Sequence, residues 1–137
     1  MKIVSFNVNS VRQRLHQLQS VIDKHAPEFI GLQETKVQDH EFPRDAIGAM
    51  GYQVVFAGQK THYGVALLSR TPCSNPVYGF ADDDEDAQKR FIGGTFDVDG
   101  EKLAVFNGYF PQGESRDHAV KFPAKRRFYA DLIQFLN

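Results

Sequence analysis

The sequence predicts an α/β fold, a β-α-β unit followed by a run of antiparallel strands. Three patterns carry this expectation. Two apolar runs, residues 2–7 and 28–34, flank a stretch with helical spacing. Four further strand-like runs follow at short intervals, the last two joined by Asp99-Gly100. From Pro123 onward the spacing is helical again.

Residues 2–7 alternate and are rich in β-branched side chains, as a strand requires. Ser10 stands where an N-cap would, and Val11, Leu15, Leu18, Ile22 and His25 follow on one helical face until Pro27. Glu28–Glu34 reads as the second strand, parallel to the first or in the same sheet. Pro43–Met50 suits a short helix stopped by Gly51. Tyr52–Ala57, Tyr63–Ser69, Phe91–Val98 and Lys102–Tyr109 read as strands. Gly58 through His62 and Asp99-Gly100 carry turn chemistry, the latter that of a tight hairpin. Residues 81–86 form an acidic loop and Pro111–His118 a polar one. Pro123 fits the first turn of a helix whose apolar face would be Tyr129, Leu132, Ile133 and Leu136.

A chain of 137 residues is most simply one domain, burying roughly two thirds of its unfolded surface. Its composition, 42% hydrophobic and 24% charged, is that of a soluble globular protein. No apolar run approaches the ~20 residues of a membrane span, and the N-terminus lacks a signal peptide's apolar region. Cys73 is the single cysteine, so a reducing, cytoplasmic setting is expected. A net charge of −1 leaves nucleic-acid binding to local patches.

Two polar residues end apolar runs. Glu34 closes Ile30-Gly31-Leu32-Gln33 and Asn7 closes Ile3-Val4-Ser5-Phe6. A carboxylate is costly to bury unpaired. A strand-end glutamate suits Mg²⁺ or Mn²⁺, which take one or two carboxylates plus water and phosphate oxygens. An exposed strand-end or helix-cap glutamate, and for Asn7 a turn asparagine, are the alternatives that spacing leaves open. Tyr109 enters a loop, Phe110-Pro111-Gln112-Gly113, where its hydroxyl would meet a phosphate or lie in water. Arg116, Lys121, Lys125, Arg126 and Arg127 form a basic cluster, read as phosphate contacts or as a solvated helix face. Arg90 is read as a phosphate contact or as an ion-pair partner of Asp82–Asp86. Arg116-Asp117-His118 and His62-Tyr63-Gly64 are set aside as loop and surface features.

The order of the motifs is more specific than any one of them. Ser5-Phe6-Asn7-Val8-Asn9, Gly31-Leu32-Gln33-Glu34-Thr35-Lys36, Tyr63-Gly64-Val65-Ala66-Leu67-Leu68-Ser69 and Asn107-Gly108-Tyr109-Phe110-Pro111-Gln112-Gly113 occur in succession. With Gly113–His118 and Lys121–Lys125, this resembles the bacterial exonuclease III group of the endonuclease/exonuclease/phosphatase superfamily over essentially the whole chain. The resemblance implies half of a four-layered α/β/β/α sandwich, with a mixed, mostly antiparallel sheet. It implies a Mg²⁺-dependent DNA-repair nuclease, with Mn²⁺ as a substitute metal, that acts at abasic sites and at 3′ ends of duplex DNA. By the same resemblance Glu34 is the metal ligand, Asn7 helps position the metal shell and Tyr109 contacts the scissile phosphate. Arg90, Arg116, Lys121 and Lys125 fall where DNA-backbone contacts are expected.

The family's Gly-Asp-x-Asn segment, its later aspartate and its Ser-Asp-His segment have no counterpart in this sequence. The expectation is therefore an N-terminal portion, residues 1–137, carrying one sheet and part of the metal site. Such a piece would be inactive or nearly so alone, with weak Mg²⁺ affinity. A bare inner sheet face would favour a homodimer or a complementary C-terminal half. A non-enzymatic DNA-binding half and a phosphoesterase acting on inositol phosphates or lipid head groups are the competing functions.

Overall fold

A computed structural model describes residues 1–59, 61–85 and 87–137. Lys60 of the Gly58–His62 turn and Asp86 of the acidic loop lie outside the described residues. The chain runs from β1 (Ile3–Asn7) through α1 (Leu15–His25) to β2 (Phe29–Gln33). A 3-10 turn at Asp39–Glu41 and α2 (Arg44–Ala49) lead to β3 (Gln53–Ala57) and β4 (Val65–Ser69). β5 (Cys73–Tyr78), β6 (Phe91–Val98), β7 (Glu101–Gly108) and α3 (Lys121–Leu136) follow.

The first four strands form a sheet in the order β1-β2-β4-β3, with β1 and β2 parallel and the other pairs antiparallel. The last three form an antiparallel sheet, β5-β6-β7. Side chains alternate between the faces of each strand. On β2 and β4, Ile30, Leu32, Ala66 and Leu68 pack outward with Leu18 and Ile22 of α1 and Ile47 of α2. Phe29, Val65 and Leu67 point the other way and pack with Ile92 and Phe96 of β6. Phe29 meets Phe96 edge to face at 4.9 Å. Burying a side chain of this size contributes about 1.5–3 kcal/mol. Beyond the second sheet, Phe128 and Phe135 of α3 pack on Phe80, Phe91 and Phe106. The chain thus supplies all four layers, helices, sheet, sheet and helix, and the expected half-sandwich is present.

Several local expectations change. The chain holds two sheets rather than one, so the inner faces of β2 and β4 are covered: Val65 is 0% and Leu67 2% exposed. In the first sheet the exposed inward positions are Ile3 (58% exposed), Ser5 and Asn7 of β1 and Gln53 at the start of β3, so the bare apolar surface lies on the outer strand β1. β5 was not expected. It is an outer strand with a register irregularity between Ser74 and Val77 and with Pro76 in its run, and its exposed middle hides the usual alternation.

Ser10 is not a helix cap. Its N–H bonds the Glu34 carbonyl at 2.9 Å and that of Val11 bonds Thr35 at 3.0 Å, so α1 starts only at Leu15. On α3 the face turned to the second sheet carries buried Phe128, half-buried Leu132 and Phe135, whose ring meets Phe91 at 5.3 Å although the residue is 37% exposed, while Tyr129, Ile133 and Leu136 are exposed. The aromatic surface of the second sheet selects the phenylalanine face over the equally apolar neighbouring one. The other elements lie within a few residues of expectation. Asp99-Gly100 forms the two-residue hairpin, with both residues in the left-handed region and Val98 opposite Glu101.

Candidate active site

Parallel pairing of β1 and β2 brings their C-terminal ends to one edge, with Asn7 opposite Gln33 and Glu34 one residue beyond. β7 of the second sheet crosses over β2. There the Asn107 side chain takes a hydrogen bond from Gln33 Nε2 (2.7 Å) and donates to the carbonyls of Leu32 (2.8 Å) and Ala66 (2.9 Å). Gly31 makes this approach feasible, because a Cβ there would come within 2.7 Å of Asn107 Oδ1. A buried polar tie between sheets fixes where β7 ends, and Tyr109 lies two residues after it.

The loops around Glu34 are bonded to one another. Thr35 N–H bonds the Gly64 carbonyl, Lys36 N–H the Tyr63 carbonyl, and Gly64 N–H the Lys89 carbonyl, all at 3.0–3.1 Å. Left-handed backbone is concentrated here, at Asn9, Ser10, Glu34, Lys36, Tyr63 and Gly64. Gly64 lies against the Thr35 hydroxyl, leaving no space for a side chain. Non-glycine residues in this region persist only where their surroundings enforce it, and they cluster at functional sites.

Asn7 Nδ2 donates to Glu34 Oε1 at 3.0 Å, and the Asn7 oxygen accepts the Asn9 N–H at 3.2 Å. Lys36 Nζ lies 3.4 Å from Glu34 Oε2 and donates to Asn9 Oδ1 at 2.5 Å. The Tyr109 phenol donates toward the same carboxylate. Together the phenol, the Asn7 amide and Lys36 hold Glu34 below its ordinary pKa of 4.5, with burial opposing them. The converse holds at Tyr109, where the Glu34 carboxylate and then burial push the phenol above its ordinary 10.0. Arg90 is half-buried between the Tyr63 and Tyr109 rings, and burial lowers its pKa.

These shifts set a pH window. Glu34's contribution is present above about 4.5 and is lost as pH falls through its lower folded value. Tyr109's contribution is present below about 10 and is lost as pH rises through its higher folded value. The stability difference between the wild type and Tyr109→Phe is therefore expected to be flat between those limits and to shrink on both sides. Urea unfolding at a series of pH values checks this. A difference independent of pH would show that phenol and carboxylate are not coupled.

The donor set suits a hard dication. Glu34 supplies an ionised carboxylate, Asn7 and Asn9 supply amide oxygens, and no sulfur or imidazole adjoins them in these contacts. Among the described residues no group of three or more His, Cys, Asp and Glu is arranged to hold a metal. A cation here would thus rest on Glu34 with water and substrate oxygens, in competition with the Lys36 ammonium.

The structure brings Glu34, Asn7, Tyr109 and Arg90 together. The remaining predicted residues lie on the loop and helix after Tyr109, tied to it where Phe110 meets Phe128 and Tyr129. Arg116 is exposed in a turn. Lys121 pairs with Glu114 at 2.5 Å, and the Lys125 stem covers Gly113. His118 serves the start of α3, its Nδ1 accepting the N–H groups of Val120 (3.2 Å) and Lys121 (2.9 Å). Sequence reasoning assigned no individual role to Lys36, Asn107, Gln33 or Tyr63. The only signal for Asn107 and Gln33 was a polar residue inside an apolar strand run.

The endonuclease/exonuclease/phosphatase family model matches residues 4–137. The chain belongs to this family. Among its relatives, exodeoxyribonuclease III of Haemophilus influenzae is 53% identical over 99% of the chain and 51% of that protein. Solved structures with the same fold include a Neisseria 3′ phosphatase bound to a product DNA hairpin (37% identity, TM-score 0.87) and an AP endonuclease from Archaeoglobus fulgidus (34%, 0.87). Each match covers 99% of this chain and 51% of the other. The chain therefore spans about half the length of these relatives. No helix among the described residues is long and apolar enough to cross a membrane.

Proposed function

We propose that this chain is the metal-binding portion of a Mg²⁺-dependent DNA-repair phosphodiesterase of the exonuclease III type. Its substrates would be duplex DNA at abasic sites and 3′ ends, in the cytoplasm, with Mn²⁺ able to replace Mg²⁺. The observation that carries this reading is the convergence of Glu34–Asn7 and Tyr109 from two sheets onto one edge. The 53% identity to an exodeoxyribonuclease III supports the substrate class.

Glu34 would hold the cation, with Asn7 fixing its carboxylate by the 3.0 Å hydrogen bond. When bound, the cation neutralises charge developing on the phosphate. The Tyr109 phenol, already aimed at this edge, supplies a donor to a phosphate oxygen. A base to take the proton from water is still required, and none of the residues gathered here has that role. We assign it to the rest of a longer protein or to a complementary half. The bare inward row of β1 supports the place where such a half, or a second copy, would add to the fold. Arg116, Lys121 and Lys125 would contact DNA phosphates from the loop and helix beyond Tyr109.

The test is a chimera in which this chain replaces the matching segment of the Haemophilus influenzae enzyme. The chimera is expected to cut abasic-site duplex in Mg²⁺, to stop on adding EDTA, and to be far more active than the chain alone. A folded chimera without activity on abasic sites or 3′ ends would refute the assignment. Robust cutting by the chain alone would refute the need for a second half.

A further inference from the structure

Arg90 is placed unlike a residue that reaches for DNA. It immediately precedes β6, and its guanidinium carbon lies 4.7 Å from the centre of the Tyr63 ring and 4.8 Å from that of Tyr109. Its Nη1 donates to the Tyr109 carbonyl at 3.0 Å and its Nε to Gln88 Oε1 at 2.5 Å. Tyr109 N–H returns a bond to the Arg90 carbonyl at 2.7 Å. The neighbouring Lys89 carbonyl holds the Gly64 N–H, so one short segment is fastened both to the Tyr63 loop and to the end of β7.

A guanidinium that contacts phosphates works best with its donor edge and faces open to the groove. Here two donor groups are engaged within the protein and two aromatic rings flank the charge. Only a flat, delocalised cation can lie against two rings and still reach a carbonyl in the same plane. A lysine ammonium in this place would keep the charge and lose the geometry.

We propose that Arg90 is a positioning residue for Tyr109, clamping its ring and carbonyl between the Tyr63 loop and β6 so that the phenol stays aimed at Glu34. This rests on the functional reading above for its catalytic consequence, while the clamp itself stands on the contacts within this chain. It replaces the expectation that Arg90 is a DNA-phosphate contact.

The chain has five tyrosines and no tryptophan, so ring-labelled tyrosine gives a resolvable NMR spectrum. Tyr63→Phe and Tyr109→Phe assign the two signals. Arg90→Lys and Arg90→Met are both expected to shift the Tyr63 and Tyr109 signals beyond their linewidths and leave the other three in place. In the chimera, Arg90→Lys is expected to lower kcat about 10- to 100-fold with little change in KM, as misplacement of a group at the reacting centre does. Unmoved tyrosine signals would overturn the proposal. So would intact kcat with a raised KM and a salt dependence of DNA binding weakened by about one phosphate contact. Unfolding of both variants would make Arg90 a stability residue and overturn it equally. An inactive parent chimera would count against the proposed function, and the NMR arm would still decide the role of Arg90.

Discussion

Glu34→Gln is expected to remove Mg²⁺ binding from this chain and to lower cleavage by the chimera about 10³-fold or more. The size follows from the several kcal/mol that a bound cation contributes to a phosphoryl transition state, at 1.36 kcal/mol per tenfold in rate. Glutamine keeps the shape, and its amide oxygen still accepts from Asn7 Nδ2, now at 3.0 Å from Oε1. The Lys36 ammonium at 3.4 Å loses its ionic partner but sits at a partly exposed position where such pairs contribute little. Folding should lose only the modest contribution that the ionised carboxylate makes through Tyr109, Asn7 and Lys36, so a large loss of activity reports the missing charge and not a collapsed loop. Isothermal titration with MgCl₂, beside urea unfolding of both proteins, checks this. The wild type is expected to bind weakly because one carboxylate carries the ion and Lys36 competes for it. Equal Mg²⁺ affinity in the variant would place the metal elsewhere.

How much of this was legible follows from the range of the forces involved. The β-α-β unit and the Asp99-Gly100 hairpin are written in local periodicity and turn chemistry, and both are present. The strand-end positions of Glu34, Asn7 and Tyr109 were readable too, although their meeting at one edge rested on a family resemblance and not on spacing. What was illegible depends on partners distant in the chain. Helix α1 begins late because Ser10 and Val11 give their N–H groups to Glu34 and Thr35. Helix α3 turns its phenylalanines inward because Phe80, Phe91 and Phe106 await them. Arg90 offered an acidic loop next to it in sequence, and the fold instead gives it two tyrosines, one from the loop before β4 and one just after β7. Strand β5 carries a proline and an exposed face, and it was recognisable only once a second sheet stood beside it.

Asn107→Ala is expected to destabilise the chain by about 3 kcal/mol, a large share of a small domain's stability. Asn107 is only 7% exposed, and its side chain bonds three groups at once. Truncation leaves the Leu32 and Ala66 carbonyls without these bonds, while Gln33 Nε2 retains Ser5 Oγ (3.1 Å) and the Gly31 carbonyl (3.2 Å). Gly31→Ala attacks the same contact from the other sheet, since its Cβ would stand 2.7 Å from Asn107 Oδ1 and 2.8 Å from Cγ. Overpacking of this kind costs about 1–3 kcal/mol. Both clashing atoms vanish in Asn107→Ala, leaving Cβ at 3.3 Å, a close contact that a shift of a few tenths of an ångström relieves. The double variant is therefore expected to be about 1 kcal/mol or more better than additive, a coupling that only neighbours in contact produce. Because Glu34 follows Gln33 and Tyr109 follows Asn107 by two residues, loosening this tie should also separate phenol from carboxylate. The pH window that Tyr109→Phe reveals should then narrow in Asn107→Ala. Strict additivity, with the window intact, would mean that the packing of Phe29 on Phe96 alone holds the two sheets in register at the site.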